Sequence, residues 1–502
     1  NILDHLLPTF ANLTSISAFF LVLINGNRIM NADGDLGRHI TIGRYILDTG
    51  KIPLRDIFSH TMEGQKLTPH EWLSQVLFAM ADRLFGFEGV ILLCALVIST
   101  TIWLIYNHLR KGTQNLLPAV LITFIVLINT MVHWLARPHI FTFLLLALWI
   151  IILDNLKKGN QKCWWLMPLL MLIWANLHGA FIAGFVTWFI YGLGIAWDGL
   201  VQNKTNKTSP SWKFWRAYLL GGITSLAATL INPSGLDLWK TSVGYLGKKY
   251  LVDHTLEYQS PNFHETHFWP FLIFIALVLV LIGIRKKRLD TEKLLISTAW
   301  ISMGLYSARN IPLAAIVAAP LLAVSLEDWF IITAPKIKLF QRIRALDKRL
   351  QIVEKQLSGI LFPVFSIIIV IILLWAGINI DITGQGYGFD PEKFPIKAVD
   401  WLEEHPQEGE MFNYFTWGGY LLYRLWPEEQ VFIDGQTDFY GEDLTRKYIK
   451  IINSDQGWET VLDKYSVDYA ILPVNESAAN RIHSDLGWEV IYEDKTAVIL
   501  RR

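Results

Sequence analysis

Charged residues are scarce in this chain. Only 18% of its 502 residues are Asp, Glu, Lys or Arg, while 52% are hydrophobic and the mean hydropathy is +0.34. An ordinary soluble domain carries about 25% charged residues, so the shortage excludes a water-soluble globule. Cysteine is nearly absent as well. Cys94 and Cys163 both lie in or beside apolar runs, which excludes a disulfide framework and leaves little basis for a zinc site or a thiol nucleophile. No glycine-rich phosphate loop, Walker motif, H-E-x-x-H or G-x-S-x-G is present. The apolar runs carry few ionisable groups, so the ion or proton path that a transporter needs is missing. The formal net charge of zero names no partner, because the charges are sorted by region; nucleic acid is not expected. The chain starts at Asn1 rather than Met, so an initiator or a short leader is expected ahead of it.

What the chain does have is apolar runs of about 16 to 22 residues, the length that crosses a hydrocarbon core of about 30 Å. Centres near residues 18, 98, 126, 147, 170, 188, 224, 276, 300, 320 and 368 predict a polytopic α-helical membrane protein with about eleven spans. Five intervening segments are basic: Arg110-Lys111; Lys157, Lys158 and Lys162; Lys204, Lys207, Lys213 and Arg216; Arg285-Lys286-Lys287-Arg288; and 336–355 with its seven Lys and Arg residues. Basic loops stay cytoplasmic. The alternate loops and the C-terminal 120 residues or so are then expected outside, on the extracytoplasmic face of a plasma (inner) membrane. Residues 31–73 are an exception, since this outward loop carries or adjoins Arg28, Arg38, Arg44, Lys51, Arg55 and Lys66. Five concordant loops outweigh one long, folded one. The sequons at Asn203 and Asn206 fall in a cytoplasmic loop and are read as chance matches.

The outward segments collect the chemistry. The first supplies Asp33, Asp35, Arg38, His39, Asp56, His70 and Glu71, and a turn supplies Arg137-Pro138-His139. Asn176-Leu177-His178-Gly179 follows, then Asp253, His254, Glu257, His264, Glu265 and His267 in 232–267, then Arg309-Asn310. Most flank spans, which places carboxylates, imidazoles and guanidinium groups around one vestibule. Each has a plainer explanation. Asp33 or Asp35 could cap a helix, Arg137 could snorkel, His178 could hold a turn, and Glu71 suits a helix N-terminus.

Residues 387–502 change character. Helices are expected at 395–404, 417–425, 442–453 and 458–465, and strands at 410–414, 430–434, 468–472, 488–492 and 497–501. That alternation predicts a small α/β domain. Asp434-Gly435-Gln436-Thr437-Asp438 follows a strand, where open α/β sheets place ligands, although Asp-Gly is also an ordinary turn. The domain is short of catalytic constellations, so binding or docking is expected of it. The division is 1–380 for the membrane domain, with 31–73 as its first outward loop, and 387–502 for the outer domain.

A paired Asp after span one, about eleven spans and an outer C-terminal domain resemble the GT-C superfamily of membrane glycosyltransferases, which includes oligosaccharyltransferase and the protein mannosyltransferases. Several motifs look like a bacterial GT-C-like group. They are D-x-D-L-x-x-H-x-x-x-G from Asp33, G-x-I-P-x-x-D-x-F-S-x-T from Gly50, H-E-W-L from His70 and R-P-H from Arg137. N-L-H-G from Asn176, N-P-x-G from Asn232 and D-G-x-T-D-F-Y from Asp434 extend the similarity over nearly the whole chain. It departs at Gly37-Arg38, where aromatic residues are expected after D-L.

The resemblance implies transfer of a sugar, with inversion, from a polyprenyl-phosphate-linked donor to a protein, glycan or lipid acceptor. It implies that Asp33 or Asp35 deprotonates the acceptor or holds a divalent cation (Mg or Mn). Arg137 and Arg309 would neutralise the leaving phosphate, a task suited to guanidinium. Arg38, His39, His70, Glu71, His178 and Glu257 would bind substrate. Two other classes fit the architecture: a non-catalytic scaffold subunit of a membrane assembly, and a transporter of lipid-linked saccharides.

Overall fold

A computed structural model describes residues 2–202, 211–244, 247–253, 255–285, 287–384 and 386–502. The sequons at Asn203 and Asn206, together with Lys204, Lys207, His254 and Lys286, lie outside the described residues.

Every expected span centre falls inside a helix. Six described helical segments are long and apolar enough to cross a membrane: Trp72–Gly112, Leu116–His133, His139–Lys157, Gly179–Val201, Thr266–Ile284 and Ala308–Thr333. A seventh is the pair Lys338–Gln356 and Leu361–Trp375, if that bent pair counts as one span. The other centres lie in shorter helices: Phe10–Ile24 (15 residues), Leu166–Leu177 (12), Trp212–Ala228 (17) and Thr291–Tyr306 (16). By length and composition, then, six or seven of the eleven qualify.

The basic segments meet at one end of the bundle. Lys157 pairs with Glu292, Arg288 with Asp198 at 2.9 Å, and Arg285 and Lys287 with Asp328 at 3.0 and 2.7 Å. The helix Leu116–Thr130 has no side-chain cap of its own. Distant carboxylates do that work: Asp347 accepts from the Leu116 and Leu117 amides at 2.9 and 2.7 Å, and Glu327 from those of Gln114 and Asn115. A helix N-terminus carries orphan N–H groups and a partial positive charge, so both carboxylates are well placed.

At the other end, residues 31–73 fold over the bundle. Asp35–Thr49 is a helix ended by Gly50 at φ 66°. The 41-residue helix Trp72–Gly112 would be on the order of 60 Å long if straight, but it breaks at Phe85-Gly86, where Gly86 takes φ 60°. Its first arm packs on Asp35–Thr49, where Gly43 lies against the Gln75 carbonyl and Arg44 pairs with Asp82 at 2.7 Å.

The C-terminal sheet has four strands, β1 (Glu410–Asn413), β2 (Val467–Pro473), β3 (Glu489–Glu493) and β4 (Ala497–Arg501), in the order β1-β2-β4-β3. β1 and β2 are parallel and the other pairs antiparallel. The strand expected at 430–434 does not form. Its backbone bonds are met otherwise: the Asn413 carboxamide accepts from the Phe432 amide at 2.8 Å and donates to the Ile433 carbonyl at 2.9 Å. Val431 pairs with the first loop, donating to the Phe58 carbonyl at 3.1 Å and accepting from the His60 amide at 3.2 Å. The partner of this apolar run is the first loop rather than the sheet.

One apolar cluster joins Ile42, Ile46 and Phe58 of that loop to Phe394, Leu421, Leu422 and Tyr469. Closer still, the Asp35–Thr49 helix meets the helix Gly418–Leu425 backbone to backbone. A Cβ on Gly37 would lie 2.2 Å from the Gly419 carbonyl oxygen, and one on Gly419 would lie 2.2 Å from that of Gly34. The departure at Gly37 thus has a physical reason, since an aromatic side chain has no room there. Gly37→Val is expected to cost about 1–3 kcal/mol through overpacking. Thermal unfolding of the detergent-solubilised protein checks this; an unchanged Tm contradicts the contact.

Candidate active site

Arg137 is held by the turn between two spans, where the neighbouring Ala136 amide donates to the Ile29 carbonyl at 3.0 Å and the Arg137 amide to that of Leu135 at 2.8 Å. Its two terminal nitrogens face three carboxylates: Asp33 at 3.1 Å, Asp35 at 2.9 Å and Glu257 at 3.6 Å. Glu257 bridges on to Arg309 at 3.3 Å and to His133 at 3.7 Å. Arg309 also donates to the Tyr258 hydroxyl and lies over its ring, 4.8 Å from the centroid. A chain of alternating charge therefore runs Asp35–Arg137–Glu257–Arg309.

A second pole surrounds Glu71. His178, His70 and His39 approach its carboxylate at 3.7, 3.8 and 3.9 Å. His178 is oriented from behind, its Nδ1 2.9 Å from the Thr142 hydroxyl, which accepts from the Trp174 indole at 3.0 Å. His39 is fully buried and neither ring nitrogen has a hydrogen-bond partner among the described residues. A narrow crevice beside this pole is lined by Ile42, Pro53, Thr68, His70, Glu71, Gln75 and Gln436.

The C-terminal domain closes the site. Arg38 donates to Gln436 Oε1 at 2.9 Å and its Nε lies 3.6 Å from Asp434, while Asp438 is 3.8 Å from His70. Asp434 accepts from the Gln436 amide at 2.7 Å and the Tyr440 hydroxyl at 3.2 Å. Gly435 comes so close that a Cβ there would meet Asp35 Oδ1 at 1.7 Å.

Burial and charge set the protonation states. Burial pushes Asp33 up to about 6, against the opposing pull of Arg137. Burial also lifts Asp434 to about 6, with Arg38 pulling the other way. Glu257 is the reverse case: burial opposes ionisation, but Arg309 and Arg137 outweigh it and hold the carboxyl down to about 2. Burial lowers His39 and His178 well below the ordinary imidazole range, with Arg38 and Arg137 adding to the effect at His39 and Arg309 adding most to it at His178. In both cases the charged imidazolium is disfavoured.

All ten expected site residues (Asp33, Asp35, Arg38, His39, His70, Glu71, Arg137, His178, Glu257 and Arg309) come together at this end of the bundle. Not every outward candidate joins them. Asp56 serves its own turn, accepting from the Ser59 hydroxyl at 2.6 Å, and His267 pairs with Glu265 at the surface. Asp434, Gln436 and Asp438 belong to the site more directly than their turn motif indicated. His133 and Tyr258 had no sequence signal beyond their nearness to Arg137 and Glu257. Asp33 and Asp35 do not make a fitting cation site in this arrangement. A hard divalent ion takes about six oxygens, whereas these two carboxylates share one guanidinium. Among the described residues no group of three or more His, Cys, Asp or Glu could hold a metal.

The fold and this site define a class, the polytopic helical membrane protein that carries a polar vestibule beneath a small α/β domain. Two solved GT-C glycosyltransferases are similar to it in fold. The structure matches the apo oligosaccharyltransferase of Archaeoglobus fulgidus with a TM-score of 0.57 at 12% identity, over 91% of this chain and 69% of that one. It matches apo ArnT from Cupriavidus metallidurans with a TM-score of 0.54 at 13% identity, over 97% of both chains. ArnT bound to undecaprenyl phosphate gives 0.50 at 14% identity, again over 97% of both. These likenesses are of fold. No protein-family profile and no curated protein sequence matches the chain.

The raised carboxyl groups have a consequence for stability. Asp33 and Asp434 bind their protons more tightly folded than unfolded, so their contribution is present below about 3.8 and is lost as pH rises through about 6. Glu257 has the opposite sign, but its window lies below 4.5. Between pH 4.5 and 6 thermal stability should therefore carry a falling component that Asp434→Asn reduces. A slope unchanged in that variant contradicts the assignment.

Proposed function

We propose that this chain is a membrane glycosyltransferase that moves a sugar from a polyprenyl-phosphate-linked donor to an acceptor hydroxyl or amide on the extracytoplasmic face of the inner membrane. The observation that carries the reading is the Asp33–Arg137–Asp35 cluster with Arg309 beyond it. The GT-C fold of the two solved enzymes supports it, as does undecaprenyl phosphate bound to ArnT.

In this mechanism Asp33 is the base. It is the less buried carboxylate, 30% exposed against 9% for Asp35, and a proton affinity near 6 suits a base working near neutral pH. Asp35, pressed between Gly435 and Arg137, orients the guanidinium. The acceptor oxygen or nitrogen forms a bond to the anomeric carbon as its proton passes to Asp33. The bond from that carbon to the phosphate oxygen breaks on the opposite face, so the anomeric configuration inverts. Arg137 and Arg309 receive the departing phosphate, whose charge replaces that of Glu257. His39, His70 and His178, with Glu71 and Arg38, position the sugar and acceptor. Arg137 supplies the fixed positive charge without a divalent cation.

Asp33→Ala is expected to lower sugar transfer from a lipid-linked donor by about 10²–10⁴-fold, and Asp35→Ala to lower it as well; full activity in both removes the mechanism. The rate should fall on the acid side with a midpoint near 6, and Arg137→Gln should move that midpoint upward because the cation opposing Asp33's proton is gone. A midpoint unmoved in Arg137→Gln contradicts the assignment of the base. Transfer by wild-type protein should survive EDTA, whereas loss on chelation and recovery with Mg or Mn would place a metal on Asp33 and Asp35 instead.

A further inference from the structure

The helix Lys338–Gln356 plays no part in the site and sits at the opposite, basic end. It meets the apolar helix Leu361–Trp375 at 72°, so it lies nearly across the direction of that span. One face docks on the bundle at seven-residue spacing. Phe340 packs edge-on against Trp329 with ring centroids 5.1 Å apart, Asp347 caps the Leu116–Thr130 helix, and Glu354 accepts from the Phe10 amide at 3.1 Å.

A second stripe runs one residue behind the first. Leu339, Leu346 and Val353 are 61%, 50% and 51% exposed. At about 100° per residue the stripe stands a quarter turn from the docked face. Three residues beyond each of its first two members come Arg342 and Arg349, both exposed, about 60° further round. Lys338, Arg344, Lys348 and Lys355 complete six cations on this helix. None has a carboxylate partner among the described residues. Elsewhere at the same end Lys157, Arg285, Lys287 and Arg288 each have one, and the described cations without one, such as Lys158, Lys162 and Lys213, are not gathered beside an apolar stripe on a single helix.

We infer that Lys338–Gln356 is an interfacial helix that binds anionic phospholipid, its Leu339–Leu346–Val353 stripe in the acyl region and Arg342, Arg349 and Lys338 on the headgroup phosphates. Charge complementarity selects this occupant. The stripe is apolar enough to be covered by acyl chains, and unpaired cations at its margin match an anionic surface. Its continuity with the apolar Leu361–Trp375 helix puts it at the edge of the bilayer. A protein partner would have to bring both an apolar strip and several carboxylates.

The test uses the full chain in zwitterionic detergent, with phosphatidylglycerol or phosphatidylcholine added and binding followed by native mass spectrometry and thermal shift. Phosphatidylglycerol should bind and raise Tm, and phosphatidylcholine should not. The triple variant K338Q/R342Q/R349Q should lose affinity for phosphatidylglycerol by roughly tenfold or more, while R342K/R349K keeps it. Should the triple variant fold poorly, wild-type protein still decides the matter, because its phosphatidylglycerol binding must weaken as salt screens the headgroups. Equal binding of the two lipids, salt-independent binding, or an undiminished affinity in a folded triple variant overturns the inference. So does retention of a protein or nucleic acid, rather than lipid, that the triple variant loses.

Discussion

The Arg137 guanidinium, shared among Asp33, Asp35 and Glu257, is the contact on which the rest of this end of the molecule depends. A cation and three carboxylates brought out of bulk water are costly unless they pair with one another. They come from three neighbourhoods of the chain: Asp33 and Asp35 from the first loop, Arg137 from a turn between spans, and Glu257 from a later loop that also reaches Arg309. Satisfying those charges therefore fixes the relative positions of three segments at this end.

The small α/β domain is part of this arrangement. Gly34, Gly37 and Gly419 let two helix backbones touch, and Gly435 brings the Asp434 turn onto Asp35. From there Arg38 takes Asp434 and Gln436 as partners, and Asp438 comes within reach of His70. The domain thus works as the wall that holds the first loop in place, and its own short segment around Val431 is completed by that loop.

Much of this could be read from the sequence, because the signals were local. Apolar runs marked all eleven helix centres, and clustered Lys and Arg picked out segments that do meet at one end. The ten candidate residues could be grouped because charge beside an apolar span has few places to go. What escaped was long-range. The number of full crossings depends on where helices such as Leu166–Leu177 end, and a polar turn at Asn176 ends it early. The segment at 430–434 is a short apolar run of the kind a buried strand has, but Asn413 and Phe58 take up its backbone groups. Gly37-Arg38 looked like a departure from the family pattern; only the approach of Gly419 and Asp434 explains why both residue types stand there. His133 and Tyr258 owe their places entirely to the folded positions of Glu257 and Arg309.

The central claim is that Arg137 and Arg309 form the seat of a lipid phosphate, with Asp33 beside the reacting carbon. A density map of the protein with a short-chain polyprenyl phosphate tests this most directly. The account predicts the phosphate between the two guanidinium groups, Glu257 displaced from at least one of them, and the chain leading out toward the apolar belt. A phosphate bound elsewhere, with Glu257 still bridging Arg137 and Arg309, would contradict it.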